Sequence, residues 1–457
     1  MAFSTMSFLV YFLPAAVIVY YLIPKRFPAL RGAELLLASL VFCWVGGGLL
    51  CVCALCLCIL VSYVCARLAE GKKKPPVIVA AAVLIGALAF FKYIKHFSGA
   101  LAVAMPLGLS FFVFQALGYV IDVYRGTVPA ERSLPRYALF MAMFPQLAQG
   151  PILRYAGVAN DLPGGRATLD GFAAGLTRFC FGLAKKLLLA NAMAKAADMV
   201  FGYEASLLPA GLAWVGALAY TLQIYLDFSA YSDMTLGLGR LFGYEFPENF
   251  NYPYAAVSIT DFWRRWHISL SSWFRDYVYI PLGGNRKGYA RQIVNILIVW
   301  LLTGAWHGST LNYIAWGLWF GVLIVLEKPL MKTGYGRLPL PVRRIVTMLL
   351  VILGRVLFRS PDLGYAWRYF LSMLGMGGGI ESGAALYLLL EYWPEWICGL
   401  IACFPLKRLL EKKLRDRAGL GGIVYTWGPK AAALLLLALS YMKLLSGSFQ
   451  SFIYFQF

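Results

Sequence analysis

The sequence predicts an all-α polytopic membrane protein, and three observations carry the prediction. Hydrophobic residues make up 61% of the 457 and charged residues 14%, against roughly 45–50% and 25% in soluble domains. That leaves too little polar side chain to coat a soluble globule of this size. Apolar runs of spanning length recur along the whole chain. The runs are continuous and not alternating, and lipid cannot satisfy backbone N–H and C=O groups, so helices are expected and barrel strands are not.

Taken in order with a window of about 20 residues, roughly a dozen segments qualify. They lie near 5–23, 33–66, 76–94, 102–121, 136–150, 171–200, 208–226, 290–306, 311–330, 342–358, 384–404 and 429–447. The first, Phe8 to Ile23, is followed by Pro24-Lys25-Arg26 and not by a small-residue cleavage site, so it reads as a retained helix. The 33–66 run is too long for one crossing: it would reach about 50 Å against a core of ~30 Å. Gly46-Gly47-Gly48 near its middle offers a turn, so the run either crosses twice or dips in and returns. Both ends, carrying Arg31 and Arg67, then lie on one side, and the positive-inside rule puts the amino terminus outside the cell.

Polar loops fall near 125–135, 154–170, 242–262, 276–292, 332–343 and 406–428. The last holds Lys407, Arg408, Glu411, Lys412, Lys413, Arg415, Asp416 and Arg417, and reads as a basic surface helix. No long soluble domain and no internal repeat interrupts the pattern. A single integral membrane domain over 1–457 is therefore expected, and a transporter built on inverted halves is disfavoured.

The net charge of +20 does not point to nucleic acid. Many of the cations sit in short loops between apolar runs (Lys25, Arg26 and Arg31; Arg67, Lys72, Lys73 and Lys74), the pattern of cytoplasmic loops beside an anionic leaflet. Membrane lipid is the expected partner of those loops. In the cysteine cluster at 51–58, Cys53 and Cys56 have CxxC spacing, yet no second pair and no histidine stands near, so they read as small apolar residues.

Three histidines occur, at 96, 267 and 307. His96 ends an apolar run beside Lys92 and Lys95 and reads as interfacial. His307 closes IVNILIVWLLTGAWHG, roughly 20 Å along the segment from Gln292 and inside the hydrocarbon layer. Gly304 and Gly308 bracket Trp306-His307, so another backbone or a substrate can approach. An ionisable group at that depth is rarely without a use.

The stretch FWRRWHISLSSWFRDYVYIPLGGNRKG (262–288) is the most unusual in the chain. If 261–278 is one helix, Trp263, Trp266, Leu270, Trp273 and Tyr277 form an aromatic face. Arg264, His267, Ser271 and Arg275 form a neighbouring polar stripe, with Asp261 and Arg265 paired at i, i+4. Such a helix suits the rim of a cavity holding an anionic or carbonyl-bearing ligand. An interfacial anchor helix explains the tryptophans and arginines equally well, but not His267.

Asp227, Ser229, Ser232 and Asp233 directly follow a spanning run, and Gln115, Asp122, Arg125, Gln146, Gln149 and Arg154 lie in other apolar surroundings. Each could be a hydrogen bond within a helix bundle; together they suggest a polar passage. No GxSxG elbow, HExxH, P-loop or metal-ligand cluster is present, so no metal is expected. Two histidines in a polar membrane cavity suit acyl transfer, in which a neutral imidazole takes the proton of an attacking hydroxyl and returns it to a leaving thiolate.

Several stretches resemble the membrane-bound O-acyltransferase family in its bacterial alginate O-acetylation branch. They are FPENFNYPY (246–254), ITDFWRRWHISLSSWFRDYVYIPLGGNRKG (259–288) and LLTGAWHG (301–308), supported by PLGLSFFVFQALGYVIDVYRG, FPQLAQGPILRY, GLAKKLLLAN, TLQIYLDFSAYSDMTLGLGRLFGYEFPENFNYPY, LGRVLFRS and the terminal FIYFQF. The matches run nearly end to end and in order. The resemblance implies a ring of roughly a dozen transmembrane and re-entrant helices around a central funnel or tunnel, in a multi-pass protein of the cell (inner) membrane. It implies that His307 is the main catalytic histidine and His267 a second one near the tunnel. Arg264, Arg265, Trp306, Ser271, Asp227, Ser229, Asp233, Asn249, Gln115 and Gln149 are the candidate lining.

No bound cofactor is implied. The donor is a cytoplasmic thioester, acetyl-coenzyme A or a carrier-protein thioester, and the acyl group passes outward to an exported partner with a serine nucleophile that modifies an extracellular polysaccharide. IPLGGNRKG favours that branch over D-alanyl transfer to teichoic acid. Two residues depart from the pattern: Arg355 stands where tryptophan is expected, and Ala230 where glycine is common. Tyr454 in FIYFQF reads as a packing or docking residue, with a brief acyl-carrier role as the alternative. The rivals are D-alanyl transfer, a channel or transporter for a small anion or lipid-linked sugar, and a scaffold for polymer export.

Overall fold

The structure is a computed structural model and describes residues 1–97, 104–381, 383–405, 420–447 and 452. Among these residues all regular structure is helical and no strand occurs. The chain divides into two compact units: Met1–Leu183 with Tyr231–Glu248 and Gly447–Ser451, and Ala184–Ala230 with Asn249–Ser446 and Phe452–Phe457.

In the first unit, α1 (Ser7–Leu22) is followed by α2 (Pro28–Ala69), α3 (Lys74–Phe97), α4 (Leu109–Arg125), α5 (Leu134–Ala142) and α6 (Leu169–Ala184). The expected turn in the long apolar run is real. Gly48 has φ 69° and ψ −172°, a conformation that only glycine takes without strain. The sulfurs of Cys43 and Cys51 then stand 2.9 Å apart. Residues eight apart on a straight helix would be separated by about 12 Å, so α2 is a hairpin. Phe3, Phe8, Phe12, Phe42 and Phe144 pack together beside it. Outside the apolar core, Arg178 clamps Asp233 at 2.9 Å and Glu248 at 2.7 Å.

In the second unit, a π-helical turn at Lys185–Ala190 leads into α7 (Asn191–Phe201), and α8 follows (Ala210–Leu241), whose residues from Tyr231 onward belong to the first unit. The polar run from Asp227 to Asp233 therefore lies within α8 and not after its end, a correction to the segment at 208–226. Its residues add their backbone hydrogen bonds to the helix, and their side chains find partners without a turn. After two short helices, α9 (Ile259–Arg265) and α10 (Ile268–Phe274), come α11 (Tyr289–His307), α12 (Leu311–Leu330), α13 (Leu340–Arg359) and α14 (Leu363–Met373). The segment at 384–404 is two helices, α15 (Gly383–Glu391) and α16 (Trp393–Ala402), broken where Pro394 can only open a new helix. The last is α17 (Leu420–Leu445).

Among the described residues, four helices are long and apolar enough to cross a membrane: Pro28–Ala69, Lys74–Ile94, Leu311–Leu330 and Val424–Leu445. The basic residues at 407–417 and Tyr454 lie outside the described residues.

Candidate active site

The site of chemical interest lies in the second unit and is built on α11 and α12. These helices pack back to back because glycine removes side chains where they meet. A Cβ on Gly304 would fall 2.5 Å from the carbonyl oxygen of Tyr313, and one on Gly317 2.4 Å from that of Trp300. The close approach that the glycines beside His307 promised is thus made by α12, by its backbone at Gly304 and by the Tyr313 ring at Gly308. His307 is the last residue of α11 and is 4% exposed. Trp316 and Phe358 meet its imidazole edge to face, with centroids 4.8 and 5.1 Å away, and Trp306 stands at 4.7 Å. The turn after it is held by Asn312, whose Nδ2 donates to the Ser360 carbonyl at 2.8 Å.

The stretch at 261–278 is not one helix. Trp266 is extended and His267 is left-handed, with φ 46° and ψ 56°, so the chain breaks between α9 and α10. A non-glycine residue held there is strained and is maintained by its surroundings. Asn249 supplies them. Its carbonyl accepts from the Ile268 amide at 3.0 Å, and its Oδ1 accepts from the amide and hydroxyl of Ser269 at 3.1 and 2.9 Å. Local hydrogen bonding to the start of α10 outweighs the continuous helix that the 3-4 spacing predicted. The aromatic face and polar stripe are accordingly divided between two short helices.

His267 is 1% exposed, and its Nδ1 lies 3.3 Å from Asn249 Oδ1. Its ring stands edge-on to Phe228 at 4.7 Å and 6.3 Å from that of Trp306. Burial pushes its imidazole down to about 3, so it is neutral.

The remaining predicted residues separate by role. Arg265 is fixed by Asp261 at 2.8 Å, the i, i+4 pair expected from spacing. Arg264 is exposed and lines a chamber of about 600 Å³ with Gln292, Glu327 and Lys328. Ser271 lines an adjoining apolar chamber of about 170 Å³ with Trp263, Leu270, Trp300 and Thr303. Tyr279, Ile296 and Ile324 border both chambers. Neither is lined by a histidine, but Thr303 is one helical turn before His307.

Asp227 is buried and paired with Lys186 at 2.5 Å, and Lys185 donates to Ser229 at 3.3 Å. Gln115, Gln149 and Asp233 belong to the first unit. There Gln115 donates to the Phe140 carbonyl at 2.8 Å, and the Gln149 amide is buried without a hydrogen-bond partner among the described residues.

Sequence reasoning passed over Glu327. From α12 its carboxylate accepts the amides of Ile259 and Thr260 at 2.5 and 3.2 Å and so caps the helix bearing Arg264. It is the only acidic residue in the run 311–330, a signal that was there to read. Asn295, buried in α11, holds the IPLGGNRKG loop through the Gly284 carbonyl at 2.9 Å. Lys185 and Lys186 were visible in GLAKKLLLAN but had no partner until the fold supplied one.

Two buried histidines thus stand in this unit, His307 at the end of α11 beside the membrane-length helix α12 and His267 at the break between α9 and α10. Residues 129–353 match the membrane-bound O-acyltransferase family. The chain is 40% identical over 382 residues, 78% of this chain and 76% of the other, to the probable alginate O-acetylase AlgI of Azotobacter vinelandii. It is 30% identical over 437 residues, 82% and 80% of the two chains, to the peptidoglycan O-acetyltransferase of Helicobacter pylori. It is 28% identical over 265 residues, 54% and 65%, to the teichoic acid D-alanyltransferase of Bacillus subtilis. The chain belongs to the membrane-bound O-acyltransferase family; it is a membrane protein and an O-acyltransferase.

Proposed function

We propose that this enzyme takes an acetyl group from a cytoplasmic thioester and passes it across the cell membrane for O-acetylation of an extracellular polysaccharide, through an exported partner with a serine nucleophile. The observation that carries the reading is His307 itself, buried at the end of α11 within LLTGAWHG and enclosed by Trp316 and Phe358. In this reading His307 removes the proton of the acceptor hydroxyl as the C–O bond forms and the C–S bond of the thioester breaks. The proton then returns to the leaving thiolate. His267, neutral and fixed beside Asn249, orients or polarises the acyl carbonyl with Arg264 nearer the donor.

The larger chamber suits the entry of an anionic thioester. It has Arg264 and Lys328 on its wall, with Arg286 and Lys287 in the adjoining loop and Arg291 in the first turn of α11. By the positive-inside rule that end faces the cytoplasm and the amino terminus faces outward. The adjoining 170 Å³ chamber compares with a cavity of about 150 Å³ that holds a benzene, a size that favours a short acyl group. The ring of spans around a funnel belongs to the same reading, as does the rest of the predicted lining. Acetyl is preferred to D-alanyl because relatives named as O-acetylases match more of the chain at higher identity.

The test is the ester content of cell-surface polymer in cells carrying wild type, His307→Ala or neither, with membrane abundance matched and the released acid identified by mass. Restoration of acetyl ester by wild type alone is expected. Equal restoration by His307→Ala would overturn the assignment, and release of D-alanine would move the substrate to the teichoic-acid reading.

A further inference from the structure

Arg355 is the most deeply buried of the described arginines of the second unit, at 1% exposure, and its Nε and Nη2 have no hydrogen-bond partner among the described residues. Its guanidinium carbon lies 4.0 Å from the centroid of the Trp266 ring and 5.7 Å from that of Phe262, so the aromatic contact covers a face of the cation and leaves its edge to be satisfied. A guanidinium is a permanent cation with five donors, and burying one without a counter-charge is costly.

The described carboxylates of this unit do not supply that charge. Asp198 is held by Arg359, Glu204 by Arg368, Asp227 by Lys186, Asp261 by Arg265 and Asp276 by Arg275, Glu327 caps α9 and Asp362 caps α14, and Arg355 forms no ion pair with Glu381, Glu391 or Glu395. Nε and Nη2 are also the two donors of one guanidinium edge, which is the fork that grips a planar carboxylate with parallel hydrogen bonds. Elsewhere in the molecule Arg178 presents this same edge to Asp233, at 3.1 and 2.9 Å.

We propose that Arg355 anchors a buried binding site for a small monocarboxylate, with Trp266 as the stacking wall. Trp266 immediately precedes His267, so the carboxylate sits beside the candidate acyl-transfer residues. Two sources carry this chemistry: a free short-chain acid, which we favour because Arg355 is only 1% exposed, and the distal carboxylate of a dicarboxylic acyl group. The site stands without the acyl-transfer reading; only the second source rests on it.

The first arm of the test uses the full-length protein in lipid nanodiscs with sodium acetate and sodium succinate as probes and sodium chloride at equal ionic strength as control. A saturable rise in melting temperature with acetate or succinate is expected in wild type and not in Arg355→Met or Arg355→Lys. Arg355→Met removes an unpaired charge and should fold at least as well as wild type without probe, so its silence cannot be blamed on unfolding. No rise in wild type, or an equal rise in Arg355→Met, overturns the site. The second arm offers acetyl- and succinyl-coenzyme A together to membranes and identifies the ester by mass. Succinyl transfer lost selectively in Arg355→Met assigns the carboxylate to the acyl group. Acetyl transfer alone, with acetate binding intact, assigns it to the free acid.

Discussion

The Oδ1 of Asn249 lies 3.3 Å from Nδ1 of His267 while accepting both the amide and the hydroxyl of Ser269. One buried amide therefore fixes the left-handed break and the orientation of the imidazole at its apex. If Nδ1 carries the hydrogen, it donates to Asn249 and leaves Nε2 as the basic nitrogen.

Asn249→Ala should cost about 1–3 kcal/mol, because it leaves the two Ser269 donors without their buried acceptor. The melting temperature should fall, and acyl transfer should fall further than the remaining folded protein explains. Transfer that simply tracks the folded fraction would show that Asn249 supports the fold and not the His267 ring.

The pH dependence of stability follows from His267, whose imidazole is held by burial at about 3 against an ordinary 6.5. Between these values the unfolded chain binds a proton that the folded one refuses, so stability rises with pH across the window. The contribution is nearly complete above 6.5 and is lost as pH falls, by about 2 kcal/mol between pH 7 and 5. Melting temperatures of wild type and His267→Gln at the two pH values check this. An unchanged difference between them would show that His267 is not the group responsible.

Gly304→Ala should separate α11 from α12, since the new methyl would meet the Tyr313 carbonyl at 2.5 Å. A loss of about 1–3 kcal/mol is expected, with transfer lost because His307 sits at the end of the displaced helix. Gly428→Ala is the control: its nearest neighbour is 3.7 Å away, and a helical alanine there should be neutral or slightly stabilising. Matching effects at both positions would remove the packing explanation.

Arg264→Ala and Lys328→Ala should each raise KM for an anionic thioester up to about fivefold, the scale of one exposed charge contact. They should leave kcat nearly unchanged and flatten the dependence of KM on salt. A fall in kcat at constant KM would place these residues at the reacting bond and not at the entrance.

Periodicity made the helices legible because apolar runs report their solvent locally. It also located the hairpin, since a run longer than the bilayer must turn and Gly48 can turn. It failed at 261–278, where the residues keep helical spacing but Asn249, from another segment, competes for the start of α10. The Gly304 contact was visible as a glycine, whereas the neighbour it admits was not. Arg355 could be noticed as unusual in its run, but not as buried on Trp266 with no hydrogen-bond partner for Nε and Nη2 among the described residues.

The sequence by itself determined the membrane solvent, the helical class and the family, and it singled out the two histidines as candidates. Composition, run length and motif order require no knowledge of what folds against what. Only the tertiary structure decided that His307 is enclosed by Trp316 and Phe358, that Glu327 caps the helix of Arg264, and that Asn249 holds His267. Those pairings join residues 9 to 68 positions apart, and such contacts depend on packing and on the search for a partner by each buried polar group, which no local pattern records.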